Sequence, residues 1–215
     1  MASDTNLTIQ KNASFEMVIK KSRFICSLAR IKNEDDAKKF INQVANDNHK
    51  ANHNCFAYLI GPDDHIQRES DNGEPSGTAG VPILQALQME QLHDVCAVVT
   101  RYFGGIKLGA GGLIRAYSNV TTGAIHEAQI VNRIMQSLLT ITVNYSEHDS
   151  LTYYLKQHNL EVYHEDYGVK VAVTIFVDQE QKAAVQEALT NRFNDQLSIK
   201  EAGQRIHEVP YNPSK

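Results

Sequence analysis

Residues 95 to 128 place the tightest limit on how this chain folds. Val95 to Tyr102 is an apolar run of strand character. It passes directly into Phe103-Gly104-Gly105-Ile106-Lys107-Leu108-Gly109-Ala110-Gly111-Gly112, then into a helical pattern. From Leu113 to Ala128, the residues Leu113, Ala116, Val120, Ala124 and Ile125 recur at the spacing of one helix face. A strand, a glycine-rich loop and a helix must therefore follow one another without a spacer. Five of the chain's 12 glycines fall between positions 104 and 112. Glycine admits positive φ and close approach of another group.

The same stretch carries three cations, Arg101, Lys107 and Arg115. Backbone amides of Gly109, Gly111 and Gly112 at a helix N-terminus, with cations beside them, suit an anion. Tyr102, Phe103 and Tyr117 add aromatic faces beside Arg101 and Arg115, of the kind on which unpaired bases stack. The loop matches neither G-x-x-x-x-G-K-[ST] nor G-x-G-x-x-G, so it makes no case for nucleotide hydrolysis or dinucleotide binding. The alternative is a tight loop that only lets strand and helix pack, with Phe103 in the core and Arg101 paired to Glu74 or Asp71.

A second polar segment reads Asp71-Asn72-Gly73-Glu74-Pro75-Ser76-Gly77-Thr78-Ala79-Gly80. It is expected to line a groove through Asp71, Glu74, Ser76 and Thr78, with Thr78 also a candidate cap for the following helix. His53 precedes a buried-strand candidate, Cys55 to Ile60, and is expected to face that groove. A serine nucleophile at Ser76 needs a nearby base such as His53. Gly77-Thr78-Ala79-Gly80 is not the G-x-S-x-G elbow. His53 and Cys55 begin no zinc site, because no second Cys/His pair stands at finger spacing.

Other strands are expected at Phe15 to Ile19 and Arg23 to Ala29, around a Lys20-Lys21-Ser22 turn. Helices are expected after Asn33 and from Val81 to Met89, with Asn33 as an N-cap. From Leu138 onward the pattern is strand, helix, strand, strand, helix, strand, the order of a ferredoxin-like βαββαβ unit. Two domains are expected, 1–133 and 134–215. The ends, Met1 to Asn12 and Pro210 to Lys215, are expected to be an arm or frayed end and a loose tail.

Bulk properties narrow the partners. The net charge is −4 over 215 residues, with 21 Lys+Arg against 25 Asp+Glu. Through Arg133 the counts are 14 against 14, leaving 7 against 11 afterwards. A surface wholly devoted to nucleic acid is excluded, but a local basic patch in the first part is not. The acidic second part suits a basic protein partner. The three cysteines are widely spaced and form no CxxC, as expected of reduced thiols in a cytoplasmic protein. No run approaches the ~20 apolar residues of a membrane span.

Three stretches together resemble the IMPACT-type, YigZ-like family: Lys50 to Tyr58 with His53-Asn54-Cys55, Ser70 to Gly80, and Thr100 to Tyr117. The resemblance implies an α+β fold whose first domain is of the ribosomal-protein S5 domain 2-like type, followed in bacterial members by a ferredoxin-like domain. It implies a link to translation, since eukaryotic relatives restrain an initiation-factor kinase through a ribosome-associated activator. Those relatives carry an additional N-terminal domain that this chain is not expected to have, so their partner is not carried over to it. Asn72 stands where the family often has a second Asp, which weakens any two-carboxylate metal site. The expectation is a non-catalytic, cytoplasmic RNA- or ribosome-binding protein without a cofactor. The alternative is an enzyme for a small anionic substrate, using His53, Glu74 or Ser76.

Overall fold

The computed structural model describes residues 6–194 and 196–211. They form two compact units, one of residues up to Asn132 together with those from Val209 on, the other Arg133–Glu208. Both mix helices with antiparallel sheet, so the chain is α+β.

In the first unit, β2 (Ala13–Ile19) and β3 (Ser22–Arg30) make a hairpin. Helix α1 (Glu34–Asp47) follows, and the Asn33 side chain accepts the Asp36 N–H as expected of an N-cap. The remaining elements are β4 (His53–Ile60), β5 (Ile66–Ser70), α2 (Gly80–Met89), β6 (Val95–Tyr102) and α3 (Ala110–Ala128). Strand order is β2-β3-β6-β4-β5. Strand β5 lies in a segment whose polar sequence reads as loop. Its residues are exposed or half-buried at the sheet edge, so no apolar alternation betrays it.

The uninterrupted apolar run of β6 has a direct cause. β6 is central, and helices cover both faces of the sheet. Val95, Ala97 and Val99 join the core built with α2 and α3, while Cys96 and Val98 join the core under α1. On α3, Leu113, Ala116, Tyr117, Val120, Ala124 and Ile125 turn to the first of these cores. Continuing the two-residue alternation, Arg101 lies on the α3 side and Tyr102 on the α1 side. The Tyr102 hydroxyl accordingly donates to Asn48 Oδ1 just past α1, at 2.9 Å.

The N-terminal segment is not frayed at residues 7 to 9, because β1 (Leu7–Ile9) is buried and pairs with Ile130–Asn132. Nor is Tyr211 loose: its N–H donates to the Ile130 carbonyl at 2.9 Å. Residues 1–5 and 212–215 lie outside the described residues.

The second unit holds most of β7 (Ile130–Val143), then α4 (Tyr145–Gln157), β8 (Val162–Tyr167), β9 (Val171–Asp178), α5 (Lys182–Arg192) and β10 (Ser198–Pro210). β9 lies between β7 and β8, and β10 pairs with β7. Leu139, Ile141 and Val143 alternate to the same core as Val171, Val173 and Ile175. Leu151 and Leu155 of α4 and Leu189 of α5 close that core.

Candidate functional site

The polar residues gathered where β4, β6 and α3 meet fall into two groups, one buried and one exposed. The buried group centres on Glu74. Its Oε1 accepts from Arg101 Nη1 at 2.6 Å and from the Tyr117 hydroxyl at 2.8 Å. The Arg101 guanidinium also lies near the rings of Phe24 and Phe103, at 5.2 and 5.5 Å. Arg101 is only 5% exposed, so its expected position facing a ligand is corrected: parity along β6 points it into the interior. A charge in such a place is tolerated because it is paired and hydrogen-bonded.

The Cys55 thiol donates to the Asp71 backbone carbonyl at 2.9 Å and lies 3.4 Å from the Tyr117 hydroxyl. Burial pushes that thiol up to about 12, so it stays protonated and is no nucleophile at neutral pH. His53 sits at the edge of the group, opposite Arg101 in the β4–β6 register. Its Nδ1 is 3.1 Å from the Asn72 carbonyl, and its Nε2 is 4.0 Å from Glu74 Oε2.

Asp71 does the work that sequence assigned to Thr78. Its carboxylate accepts the N–H of Gly77 at 2.7 Å, Ala79 at 2.8 Å and Gly80 at 2.9 Å. It thereby caps α2, whose cap residue Ala79 has no side chain to do so. The Thr78 hydroxyl instead donates to the Pro75 carbonyl at 2.6 Å. Desolvation alone would raise the Asp71 carboxyl, but the three N–H bonds outweigh it and hold the group below its usual range. A lowered folded value means stability that is present above about pH 4 and lost as pH falls through the folded value. Asp71→Ala should therefore cost about 1–2 kcal/mol at pH 7. The gap between variant and wild type in urea denaturation should close in acid. A gap that widens below pH 4 would contradict this reading. Ser76 is exposed, and among the described residues no hydrogen bond joins it to His53.

The exposed group surrounds the start of α3. Gly109 is its cap residue at φ 73°, a left-handed conformation that glycine adopts freely. Gly111 and Gly112 lie in the first turn, and among its residues there is no acidic side chain. Arg115 is exposed and runs back along that turn, its Nη1 3.8 Å from where a Cβ on Gly111 would stand. Lys20, Leu108, Gly112, Arg115 and Asn119 border a cleft of about 250 Å³. Lys107 is exposed on the preceding loop. Of the two readings of Phe103, stacking face or core residue, its 45% exposure fits the first.

The Lys20–Lys21 turn, which the sequence marks only as a link between two strands, also belongs to this surface. Gly104 packs against it so closely that a Cβ there would come within 2.0 Å of the Lys21 carbonyl. Ser22 fastens the contact by accepting the Gly104 N–H at 3.2 Å. Both lysines have positive φ, 45° and 65°, in a two-residue hairpin turn that usually takes Asn-Gly. That conformation costs non-glycine residues roughly 1–2 kcal/mol each. Cations stand here against local backbone preference, and strain of this kind collects at functional positions. The signal available beforehand was the pair itself: two lysines at a hairpin tip with neither Asn nor Gly.

Comparison with known proteins bears on this site directly. Residues 20–125 match the Impact N-terminal domain, a span that includes the turn, the Glu74 network and all of the loop. The chain is 41% identical over 194 residues to the IMPACT family member YvyE of Bacillus subtilis (strain 168), covering 90% of this chain and 89% of that one. The chain belongs to the IMPACT family. Another member, YigZ of Escherichia coli (strain K12), is 36% identical over 159 residues, 73% of this chain and 78% of its own. Residues 141–196 match a domain of unknown function, DUF1949. A solved structure described as that of an hypothetical protein superposes with a TM-score of 0.57 at 30% identity, covering 91% of this chain and 96% of that one. Among the described residues no helix is long and apolar enough to cross a membrane, and no three His, Cys, Asp or Glu side chains gather as a metal site.

Proposed function

We propose that this IMPACT-family protein is a non-catalytic, cytoplasmic RNA-binding protein that acts on or near the ribosome and modulates translation. The observation that carries the reading is the exposed cation cluster at the amino end of α3. Lys20 and Arg115 border one cleft at this terminus, which itself bears partial positive charge, while exposed Lys107 lies on the loop leading into it and the Lys21 backbone packs against that loop. No acidic residue stands in the first turn of α3 to compete for these cations, so an anion is favoured there. RNA phosphates are such anions, and the exposed Phe103 ring offers a base a stacking surface.

The same proposal extends to fold and partners. We take the first unit as ribosomal-protein S5 domain 2-like and the second as ferredoxin-like. The order β10-β7-β9-β8 with two helices on one face supports the latter. The second unit, acidic overall, is open to a basic protein partner.

Titration of a labelled single-stranded RNA at low salt tests the function. The variant Lys21→Ala/Lys107→Ala/Arg115→Ala should bind at least about tenfold more weakly than wild type, given the share of affinity carried by phosphate contacts. Equal affinity, or no binding by wild type, contradicts the proposal.

A further inference from the structure

We infer that His53 and Glu74 form a reading point for the exocyclic amino group of an unpaired RNA base, so that cytosine and adenine are accepted and uracil is not. The inference rests on the RNA-binding reading and deepens it.

Donors and acceptors do not match between His53 and Glu74. The Asn72 carbonyl can only accept, so His53 Nδ1 must carry the proton of their 3.1 Å contact. In the neutral ring Nε2 is then an acceptor. It faces Glu74 Oε2, a second acceptor, at 4.0 Å. That separation is too long for a direct hydrogen bond. Oε1 of the same carboxylate is already occupied by Arg101 and Tyr117. Among the described residues no donor forms a hydrogen bond to Oε2. Two acceptors 4.0 Å apart, with Glu74 buried and only the His53 ring partly exposed, are satisfied by one group with two hydrogens that reaches them past the imidazole. A nitrogen about 2.8–3.0 Å from each satisfies both. A neutral amino group fits, and a metal does not, because at ordinary His and Glu bond lengths of about 2.0–2.2 Å the two ligands would have to stand almost opposite each other.

The surroundings say which amino group. The Arg101 guanidinium touches Glu74 on one side and lies 5.5 Å from the Phe103 ring on another. Phe103 and Glu74 are thus neighbours of one guanidinium, which puts a base stacked on that ring near the acceptor pair. Gly73 leaves His53 in place: a Cβ there would stand 3.2 Å from Nδ1, tighter than ordinary contact.

The full chain should be titrated with 12-nucleotide oligomers of C, A and U. C and U are both pyrimidines, so their comparison sets stacking aside. Wild type should bind C12 and A12 about tenfold more tightly than U12, the scale of one good base-edge contact. His53→Phe should bring C12 and A12 to the level of U12 and leave U12 unchanged. Equal binding of all three oligomers to wild type, or an equal loss of all three in His53→Phe, overturns this inference and leaves RNA binding standing. Binding of none overturns both. Should the variant fail to fold, the wild-type imidazole ¹⁵N signals decide: CMP should shift His53 Nε2 and UMP should not. Absence of a CMP-specific shift is a negative answer.

Discussion

Glu74→Ala should destabilise the first unit by about 3–5 kcal/mol, because it strands the buried Arg101 guanidinium without its counter-charge. For a unit of this size the melting temperature should fall by about 10–15 °C. The Tyr117 hydroxyl loses its acceptor in the same step. The loss is one of pairing, so a second change should reverse much of it. In Glu74→Ala/Arg101→Met an apolar side chain fills the guanidinium's space between Phe24 and Phe103, and no charge is left buried. Differential scanning calorimetry of wild type, both single variants and the double variant measures the coupling. A Glu74→Ala cost below about 1 kcal/mol would mean that water screens the pair as it does a surface ion pair.

The second large effect concerns Gly104. Its Cβ position falls within 2.0 Å of the Lys21 carbon and oxygen and 2.5 Å of the Ser22 nitrogen, all backbone atoms. Gly104→Ala must therefore push the glycine loop away from the hairpin turn. Overpacking of this kind costs about 1–3 kcal/mol. The displacement also moves Lys21 away from Lys107 and Arg115, dividing the proposed RNA-binding surface. RNA affinity should fall at least about fivefold, although the substitution removes no charge. Gly105→Ala is the control. Its Cβ meets nothing within 4 Å, and its φ of 83° carries only the local strain of a left-handed alanine. If Gly104→Ala bound RNA as wild type does, the two loops would not act together.

Much of this arrangement was legible in the chain. Alternation gave the second unit its βαββαβ order. Asn33, placed before three acidic residues, marked the start of α1. The glycine loop lay where strand passes to helix. What was hidden depended on which way a side chain faces. Arg101 reads either as a ligand-facing cation or as a partner of Glu74 or Asp71; with β6 covered on both faces, its odd position puts it beside Val99 and Ala97, paired to Glu74. Phe103 reads as either stacking face or core, because it lies past the last residue of β6, where the alternation has ended. Asp71 caps a helix nine residues downstream of itself, beyond the reach of any local capping pattern. Lys20 and Lys21 join the loop only through contact between residues more than 80 positions apart. Long-range contacts of that kind leave no mark in local sequence.

The salt dependence of RNA binding reports how many phosphates the cations at α3 hold. Four cations at the start of α3 should give a slope of log K against log salt near −3, at about 0.7 per phosphate contact on a single strand. Lys21→Ala/Lys107→Ala/Arg115→Ala should reduce the slope to about −1. A wild-type slope near zero, or a slope unchanged in the triple variant, would contradict the claim that this surface holds RNA phosphates.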